Sequence, residues 1–323
     1  MHTEVTFPSD KIFLSGTLTV PKGDAPSPCV IMVHGSGAQD RDGNISGFNT
    51  QIFKYIAEFL AEQGIASFRY DKRGCGKSEG NFKIAGLSEI VDDACAAIDF
   101  VSSQKDVIDP KEVYLLGHSE GAVLAPEIAS KRHSLAGIVM ICASLRSFEE
   151  DGVKNAEILN RDLDKMTGIR GKIARLFLYS RDPLGMMTKL RKRVEKTTAK
   201  RIWVSFSRVS TKFYRETFNY DVKSFLKNTR HPILAIGGGK DFQCHPEDTI
   251  LIAEKSPGQT EAYIIEDMDH TLRLQKGEPS ILSYSSSCNS PIMQEVNERI
   301  HVWLSNQKAS RSRSTDERKA GHP

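Results

Sequence analysis

Short runs of continuously apolar residues recur along the chain, with helically spaced segments between them. The runs occupy residues 28–34, 65–70, 113–118, 137–143, 232–238 and 262–266. Continuous runs of this kind are typical of parallel strands that are buried on both faces of a sheet. Near the start, residues 4–10 and 12–20 alternate more regularly between apolar and polar positions, which predicts an antiparallel hairpin.

Two of the intervening segments have the spacing of amphipathic helices. In the first, apolar residues recur between Ile52 and Leu60, and Gly64 stands where a helix commonly ends. In the second, residues 88–104, Ser88 is a candidate N-cap and apolar residues recur along one side. The alternation of strands and helices predicts a fold of the α/β class.

The pattern breaks in the middle of the chain, where helical segments replace the strands. Residues 146–230 hold 21 lysines and arginines against 10 aspartates and glutamates, a net charge of +11, while the rest carries −8. We predict that residues 1–144 and 231–306 form the core and that residues 145–230 are inserted as a helical cap. Residues 307–323 are polar and basic, and we predict a disordered tail there.

The overall composition indicates an ordinary globular protein. Of 323 residues, 39% are hydrophobic and 26% are charged, and the net charge of +3 is too small to indicate a nucleic-acid partner. The sequence contains neither a secretory leader pattern nor the roughly 18 consecutive apolar residues of a membrane span, so we expect a cytoplasmic protein. The six cysteines form no CxxC pair, and we interpret them as thiols.

Two short segments resemble ligand-binding loops but lack residues that such loops need. The stretch DKRGCGKS, residues 71–78, ends like a phosphate-binding loop, but Asp71 stands where the first glycine is required. In DRDGN, residues 40–44, acids alternate as in a calcium loop, but its sixth position is Ile45 and its twelfth is Gln51. Neither nucleotide hydrolysis nor this type of calcium binding is therefore predicted.

The stretch LLGHSEGAV, residues 115–123, places a serine between two glycines. The Gly-x-Ser-x-Gly pattern alone arises often by chance, but here it lies between a predicted strand and a predicted helix. Gly117 and Gly121 permit a tight turn that lifts the hydroxyl of Ser119 toward a substrate. We therefore predict that Ser119 is a catalytic nucleophile.

A serine hydroxyl needs a base and an acid that orients the base, and both are expected in loops after later strands. Asp241 follows the apolar run at 232–238, and His270 follows the run at 262–266. Asp267 and Asp269 are alternatives for the acid, but they lie very close to His270 in the same short loop. We predict His270 as the base and Asp241 as the acid.

Acyl transfer also requires donors for the negative charge that develops on the carbonyl oxygen. The run at 28–34 ends in His-Gly-Ser-Gly, and a glycine-rich turn of this kind presents backbone N–H groups to the serine turn. We predict the N–H groups of Ser36 and Glu120 as the oxyanion hole, with Gly35 and Gly37 shaping the turn. His34 is expected to support the turn by hydrogen bonding.

These motifs together resemble the α/β-hydrolase superfamily, and most closely its bacterial carboxylesterase-like members. The resemblance is carried by GSGxxDRDG at residues 35–43, RYDKRGxGKSEG at 69–80 and GHSEG at 117–121, and it extends over about residues 10–305. It implies a mostly parallel eight-stranded sheet flanked by helices, with a cap between strands six and seven. It also implies a Ser-His-Asp mechanism that uses no metal ion or other cofactor.

The resemblance favours a serine hydrolase that cleaves small or medium carboxylic esters through an acyl-enzyme intermediate. A thioesterase, including one for acyl-CoA, a proline-releasing peptidase or an acyltransferase would use the same triad. A binding protein on a hydrolase fold is the non-enzymatic alternative. The charge of the cap has two explanations, namely solvated helix faces or attraction of an anionic substrate. The sequence predicts no oligomeric state.

Overall fold

Ten strands form one large sheet and one small hairpin in the computed structural model, which describes residues 1–23, 26–204, 207–282 and 284–320. The strands are β1 His2–Ser9, β2 Ile12–Thr19, β3 Ser27–Val33, β4 Ala66–Tyr70, β5 Ile108–His118, β6 Gly137–Ile141, β7 Arg201–Val204, β8 Ser207–Ser210, β9 Ile233–Gly238 and β10 Thr260–Ile265. The six predicted apolar runs correspond to β3, β4, β5, β6, β9 and β10.

The large sheet has eight strands in the order β1-β2-β4-β3-β5-β6-β9-β10. The first two strands form the predicted antiparallel hairpin, in which Phe7 pairs with Leu14, and β2 is antiparallel to β4. Every other pairing in this sheet is parallel. The predicted mostly parallel α/β sheet is thus confirmed, and the carboxyl ends of its parallel strands share one edge.

Helices cover both faces of this sheet. They are α1 Ile52–Glu62, α2 Leu87–Ser103, α3 Glu120–Lys131, α4 Phe148–Lys165, α5 Gly168–Leu178, α6 Pro183–Lys196, α7 Thr211–Phe218, α8 Val222–Asn228, α9 Glu247–Lys255, α10 Tyr284–Ser287 and α11 Gln294–Ala320. A buried apolar cluster joins α2 and α3 to one face, and a second joins α1 and α11 to the other. None of the helices within the described ranges is long and apolar enough to cross a bilayer.

The segment between β6 and β9 contains α4 to α8 and the hairpin β7–β8. It has a small apolar cluster of its own, formed by Met187, Val194, Ile202 and Phe218. This segment is attached to the core partly through α7, where Glu216 accepts hydrogen bonds from the backbone and hydroxyl of Ser88 at 3.0 Å each. The hairpin was not predicted, because its short strands lie among basic residues and lack a long alternating pattern.

The C-terminal segment differs from the prediction of a disordered tail. Helix α11 continues through Ala320, so residues 307–320 are helical, whereas residues 321–323 lie outside the described residues. The first half of α11 buries Val296, Ile300 and Trp303 against the sheet. The sequence after it contains no glycine or proline before Gly321, so nothing in it interrupts a helix that packing has already started.

Candidate active site

Ser119 occupies the sharp turn between β5 and α3. Its backbone has φ 55° and ψ −118°, in the region that residues with a side chain rarely adopt. The turn is joined to the neighbouring strand β6, because the backbone N–H of Ser119 donates to the carbonyl of Ile141 at 2.9 Å. A β-carbon on Gly117 would collide with the backbone of Gly121, and one on Gly121 would collide with the carbonyl of Val33. The two glycines are therefore required by close packing.

The structure brings Ser119, His270 and Asp241 into one hydrogen-bonded chain. The Nε2 atom of His270 lies 3.0 Å from Oγ of Ser119, and its Nδ1 atom lies 2.8 Å from Oδ2 of Asp241. Asp241 follows β9 and His270 follows β10, and these strands are parallel neighbours. Their loops are also joined directly, since the backbone N–H of Lys240 donates to the carbonyl of Met268 at 2.9 Å.

Asp241 is buried, yet its environment favours the carboxylate. Burial by itself raises its pKa, but the electrostatic attraction between this carboxylate and His270 and the hydrogen bond from His270 outweigh that effect. The N–H groups of Gln243 and Cys244 also donate to Oδ1, at 2.7 and 2.9 Å. The pKa of Asp241 consequently lies below its ordinary value, so the group faces His270 as an acceptor near neutral pH.

The two rival carboxylates occupy different places in the loop of His270. Asp267 is exposed. Asp269 is buried, and its Oδ1 atom accepts hydrogen bonds from the backbone N–H of Thr271 at 2.8 Å and of Arg273 at 3.0 Å. Asp269 therefore fixes the loop that carries His270, whereas the carboxylate bonded to the imidazole is that of Asp241.

Ser36 and Glu120, whose backbone N–H groups are the predicted oxyanion donors, lie beside Ser119. Their side chains are hydrogen-bonded to each other. Oγ of Ser36 donates to Oε2 of Glu120 at 3.1 Å. The ammonium group of Lys72 donates to Oε1 of Glu120 at 3.0 Å and to the carbonyl of Gly35 at 2.6 Å. Lys72 is almost completely buried and thus connects the glycine-rich turn to the start of α3. The sequence analysis did not assign a role to Lys72.

The glycine-rich turn lies in contact with the serine turn. A β-carbon on Gly35 would lie 3.2 Å from Cβ of Ser119, and Gly37 has φ 95°. The segment that follows this turn, residues 40–43, is joined to the stretch at residues 71–78. The guanidinium of Arg41 donates two hydrogen bonds to Asp71, at 2.8 and 3.2 Å. The segments that resembled calcium and phosphate loops thus bind each other.

His34 is completely buried and packs edge to face between Phe53 and Tyr70, at centroid distances of 5.5 and 5.1 Å. Burial and the nearby charge of Lys72 lower its pKa to about 3, so the ring is neutral. Its ring nitrogens approach the backbone of Tyr70 and Asp40 without a hydrogen bond of normal geometry. Packing therefore holds the His34 ring in place, and its support of the turn by hydrogen bonding stays a prediction.

His118 is a second group that the sequence analysis did not assign. Its Nε2–H donates to the backbone carbonyl of His270 at 2.9 Å, and the two rings lie 5.0 Å apart. Burial lowers the pKa of His118 to about 3, and the electrostatic interaction with the neighbouring His270 adds to this effect. A neutral His118 therefore fixes the backbone of His270 directly behind Ser119. Its position next to the serine in GHSEG was the only available signal.

Two cavities open on either side of Ser119. The larger, of about 160 Å³, lies under α4 and is walled mainly by apolar side chains, including Leu87, Val123 and Phe148. The smaller, of about 110 Å³, contains His270 and is walled by Gln39 and Tyr284 among others. Ser36, Ser119 and Gln243 line both cavities, so the serine hydroxyl stands where the two meet.

The donor atoms near His270 could also be considered as metal ligands. Among the described residues, one atom each of Asp241, Cys244 and His270 lies within 4.8 Å of the others. A metal ligand set would need the thiolate of Cys244, but burial raises the pKa of this thiol well above its ordinary value. The thiol instead donates to the carbonyl of Cys142 at 3.0 Å. The arrangement fits a hydrogen-bonded triad better than a metal site.

Comparison with known proteins gives relatives of the same architecture. The chain is 31% identical to the esterase EstD of Thermotoga maritima over 296 residues, which is 90% of this chain and 65% of EstD. The chain thus spans slightly less than two thirds of this relative. Est1E of Butyrivibrio proteoclasticus, solved with bound ferulic acid, superposes with a TM-score of 0.61 at 18% identity, covering 94% of this chain and 99% of Est1E.

A proline iminopeptidase of Mycobacterium smegmatis superposes equally well, with a TM-score of 0.61 at 16% identity, covering 95% of this chain and 99% of that one. At such identities the solved structures show a shared fold only. The family model described as serine aminopeptidase, S33, matches residues 26–276, more than half of the chain. The sheet order, the serine turn after β5 and this match together place the chain in the serine aminopeptidase S33 family of α/β hydrolases.

Proposed function

We propose that this protein is a serine hydrolase that cleaves carboxylic esters through an acyl-enzyme intermediate. The observation that carries the proposal is the continuous chain from Ser119 through His270 to Asp241, with contacts of 3.0 and 2.8 Å. These distances are those of a nucleophile, a base and an orienting acid. The similarity to EstD supports esters as the substrate class, and the motifs at residues 35–43 and 69–80 support a carboxylesterase-like member.

In the proposed mechanism, His270 accepts the proton of Ser119 at Nε2 while the serine oxygen attacks the ester carbonyl. The N–H groups of Ser36 and Glu120 stabilise the resulting oxyanion. The same imidazole then protonates the leaving alcohol, and a water molecule deprotonated by His270 releases the acid. Asp241 keeps the other proton of the ring at Nδ1 throughout, which leaves Nε2 free to act as the base.

The two cavities suggest how an ester lies across Ser119. His270 must reach the leaving alcohol, and it lines the smaller cavity, so we assign the alcohol portion there and the acyl portion to the larger apolar cavity. The charged residues that line the larger cavity are Glu120, Arg146 and Asp151. Arg146 is already paired with Asp248 at 3.0 Å. The positive charge of the cap does not gather at this cavity, which favours an uncharged acyl group over an anionic one.

The proposal can be tested by labelling the protein with a fluorophosphonate and mapping the modified peptide. We expect modification of Ser119 alone, because only this serine among the described residues is bonded to an imidazole. Turnover is then compared on an ester, a thioester and an amide with the same acyl group. We expect the ester to be cleaved fastest; a faster thioester or amide would reassign the substrate class, and labelling of another serine would refute the mechanism.

Removing the charge of Lys72 is expected to weaken catalysis through the oxyanion donors. The variant Lys72→Met loses the hydrogen bonds that join Gly35 to Glu120, so we expect the N–H groups of Ser36 and Glu120 to move relative to each other. A displacement of about 1 Å in the oxyanion hole can cost roughly 10- to 100-fold in kcat, with a much smaller change in KM. Steady-state kinetics on p-nitrophenyl butyrate measure both parameters.

The single variant leaves the carboxylate of Glu120 buried without its cation, which is itself destabilising. The double variant Lys72→Met/Glu120→Gln removes both charges and is the folding control, judged by circular dichroism and thermal unfolding. We expect the double variant to fold and to keep the kcat defect. Wild-type kcat in either folded variant would show that Lys72 does not position the donors.

A further inference from the structure

Helix α5 and the start of α6 present large apolar side chains to solvent. Among residues 168–186, which we call the α5–α6 surface, the exposed apolar residues include Ile169, Ile173, Leu176, Phe177, Leu184 and Met186. Ile169 and Leu176 keep 70% and 79% of their surface accessible. Ile169, Ile173 and Leu176 are spaced four and three residues apart and so share one face of α5. An exposed apolar helix face of this kind commonly marks an interaction site.

The way α5 packs explains why this surface is left open. Gly171 is the only residue of α5 that is fully buried, and its backbone lies against Met166 at the end of α4. Arg175 points inward and donates to the carbonyls of Leu163 and Met166 at 2.6 and 3.0 Å. The helix is thus anchored to α4 along a narrow strip, and its apolar residues at positions 169, 173 and 176 lie outside that strip.

Basic residues are mixed into the same surface. The α5–α6 surface holds four basic residues, Arg170, Lys172, Arg175 and Arg181, against one acidic residue, Asp182. Arg170, Lys172 and Arg181 are exposed, while the carboxylate of Asp182 is engaged in accepting a hydrogen bond from the N–H of Gly185 at 2.8 Å. The surface therefore combines exposed apolar side chains with a net positive charge.

We propose that the α5–α6 surface docks onto an anionic lipid surface. A helix with apolar side chains and flanking lysines and arginines lies in the plane of a bilayer interface, where anionic headgroups attract its basic residues. A second copy of this chain is a poorer occupant, because a symmetric dimer contact brings the same patch of each copy together. The exposed cations Arg170, Lys172 and Arg181 would then face their own counterparts.

This docking does not depend on the chemistry at Ser119, so it can be tested separately. The full-length protein is sedimented with vesicles of equal parts phosphatidylcholine and phosphatidylglycerol, and with vesicles of phosphatidylcholine alone, at about 0.15 M salt. We expect binding to the mixed vesicles, weaker binding when salt is raised, and little binding to the neutral vesicles. Equal binding to both vesicle types, or to neither, would overturn the proposal.

Matched variants locate the surface. Ile173→Ser/Leu176→Ser removes exposed apolar groups without touching a core, and we expect it to lower vesicle partitioning about tenfold or more. Arg170→Gln/Lys172→Gln should lower it as well and reduce its salt dependence. The control Phe13→Ser/Val302→Ser removes two apolar side chains that are also exposed but lie outside the surface. It is expected to bind like the wild type.

The second-copy alternative has its own readout in the same samples. Sedimentation velocity of the wild type without lipid reports whether the chain is a dimer. A dimer that Ile173→Ser/Leu176→Ser converts to a monomer would overturn the lipid proposal in favour of a second copy. Vesicle binding that Ile173→Ser/Leu176→Ser leaves unchanged, with its fold intact by circular dichroism, would also overturn it.

Discussion

Replacing Ser119 with alanine is expected to abolish hydrolysis of p-nitrophenyl butyrate, lowering kcat by roughly four to six orders of magnitude. The serine oxygen is the only hydroxyl hydrogen-bonded to His270 in the described part of the chain, so its removal takes away the nucleophile that the proposed acyl-enzyme requires. The substitution removes one oxygen atom and leaves β5, the turn and α3 unchanged. Initial rates measured at saturating substrate give the comparison directly.

The matched control is Ser130→Ala, which alters an exposed serine near the other end of the same helix α3. It should hydrolyse the ester like the wild type. Thermal unfolding of Ser119→Ala should occur near the wild-type temperature, because the substitution removes only the hydrogen bond with His270 and no buried apolar group. Turnover by Ser119→Ala within tenfold of the wild type would rule out this serine as the nucleophile.

Asp241→Asn is expected to lower kcat by roughly 10⁴-fold, the second largest effect. An amide can turn its NH₂ group toward Nδ1 of His270, which favours the tautomer with the proton on Nε2. The base would then face Ser119 as a donor and could not accept its proton. The same ester assay, run near neutral pH, measures the loss.

Two further variants decide whether the acid has been assigned correctly. Asp267→Asn changes an exposed carboxylate in the loop of His270 and should have little effect. Asp269→Asn weakens a buried acceptor of loop hydrogen bonds, so we expect a smaller loss of activity together with lower thermal stability. A greater loss in Asp269→Asn than in Asp241→Asn would move the acid to Asp269.

The large sheet was predictable because each of its parallel strands corresponds to a separate apolar run in the sequence. The stretch 113–116 within β5 is apolar throughout, because β5 has neighbouring strands on both sides and helices on both faces. The C-terminal helix was missed for the opposite reason. Its outer turns are polar, and their helical state depends on a packed first half and on contacts such as Arg311 with the carbonyl of Lys111. Local composition does not report such contacts.

The three residues of the candidate triad could also be proposed from the sequence, because serine, acid and base each follow a strand in that order along the chain. The sequence favoured Asp241 as the acid but could not show which of the three acids contacts His270. The loop geometry answers this, since Asp269 turns toward the backbone of its own loop while Asp241 reaches Nδ1 from the preceding strand. Their catalytic roles remain predictions until the variants are measured.

By itself, the sequence determined the α/β architecture, the turn at Ser119 and the positions after strands where a base and an acid could stand. These features are local, because each depends on residues that are close together in the chain. Only the tertiary structure decided the contacts of Lys72 with Gly35 and Glu120, and of His118 with the backbone of His270. Those partners are separated by 37, 48 and 152 positions, and they meet only because the loops share one edge of a twisted sheet.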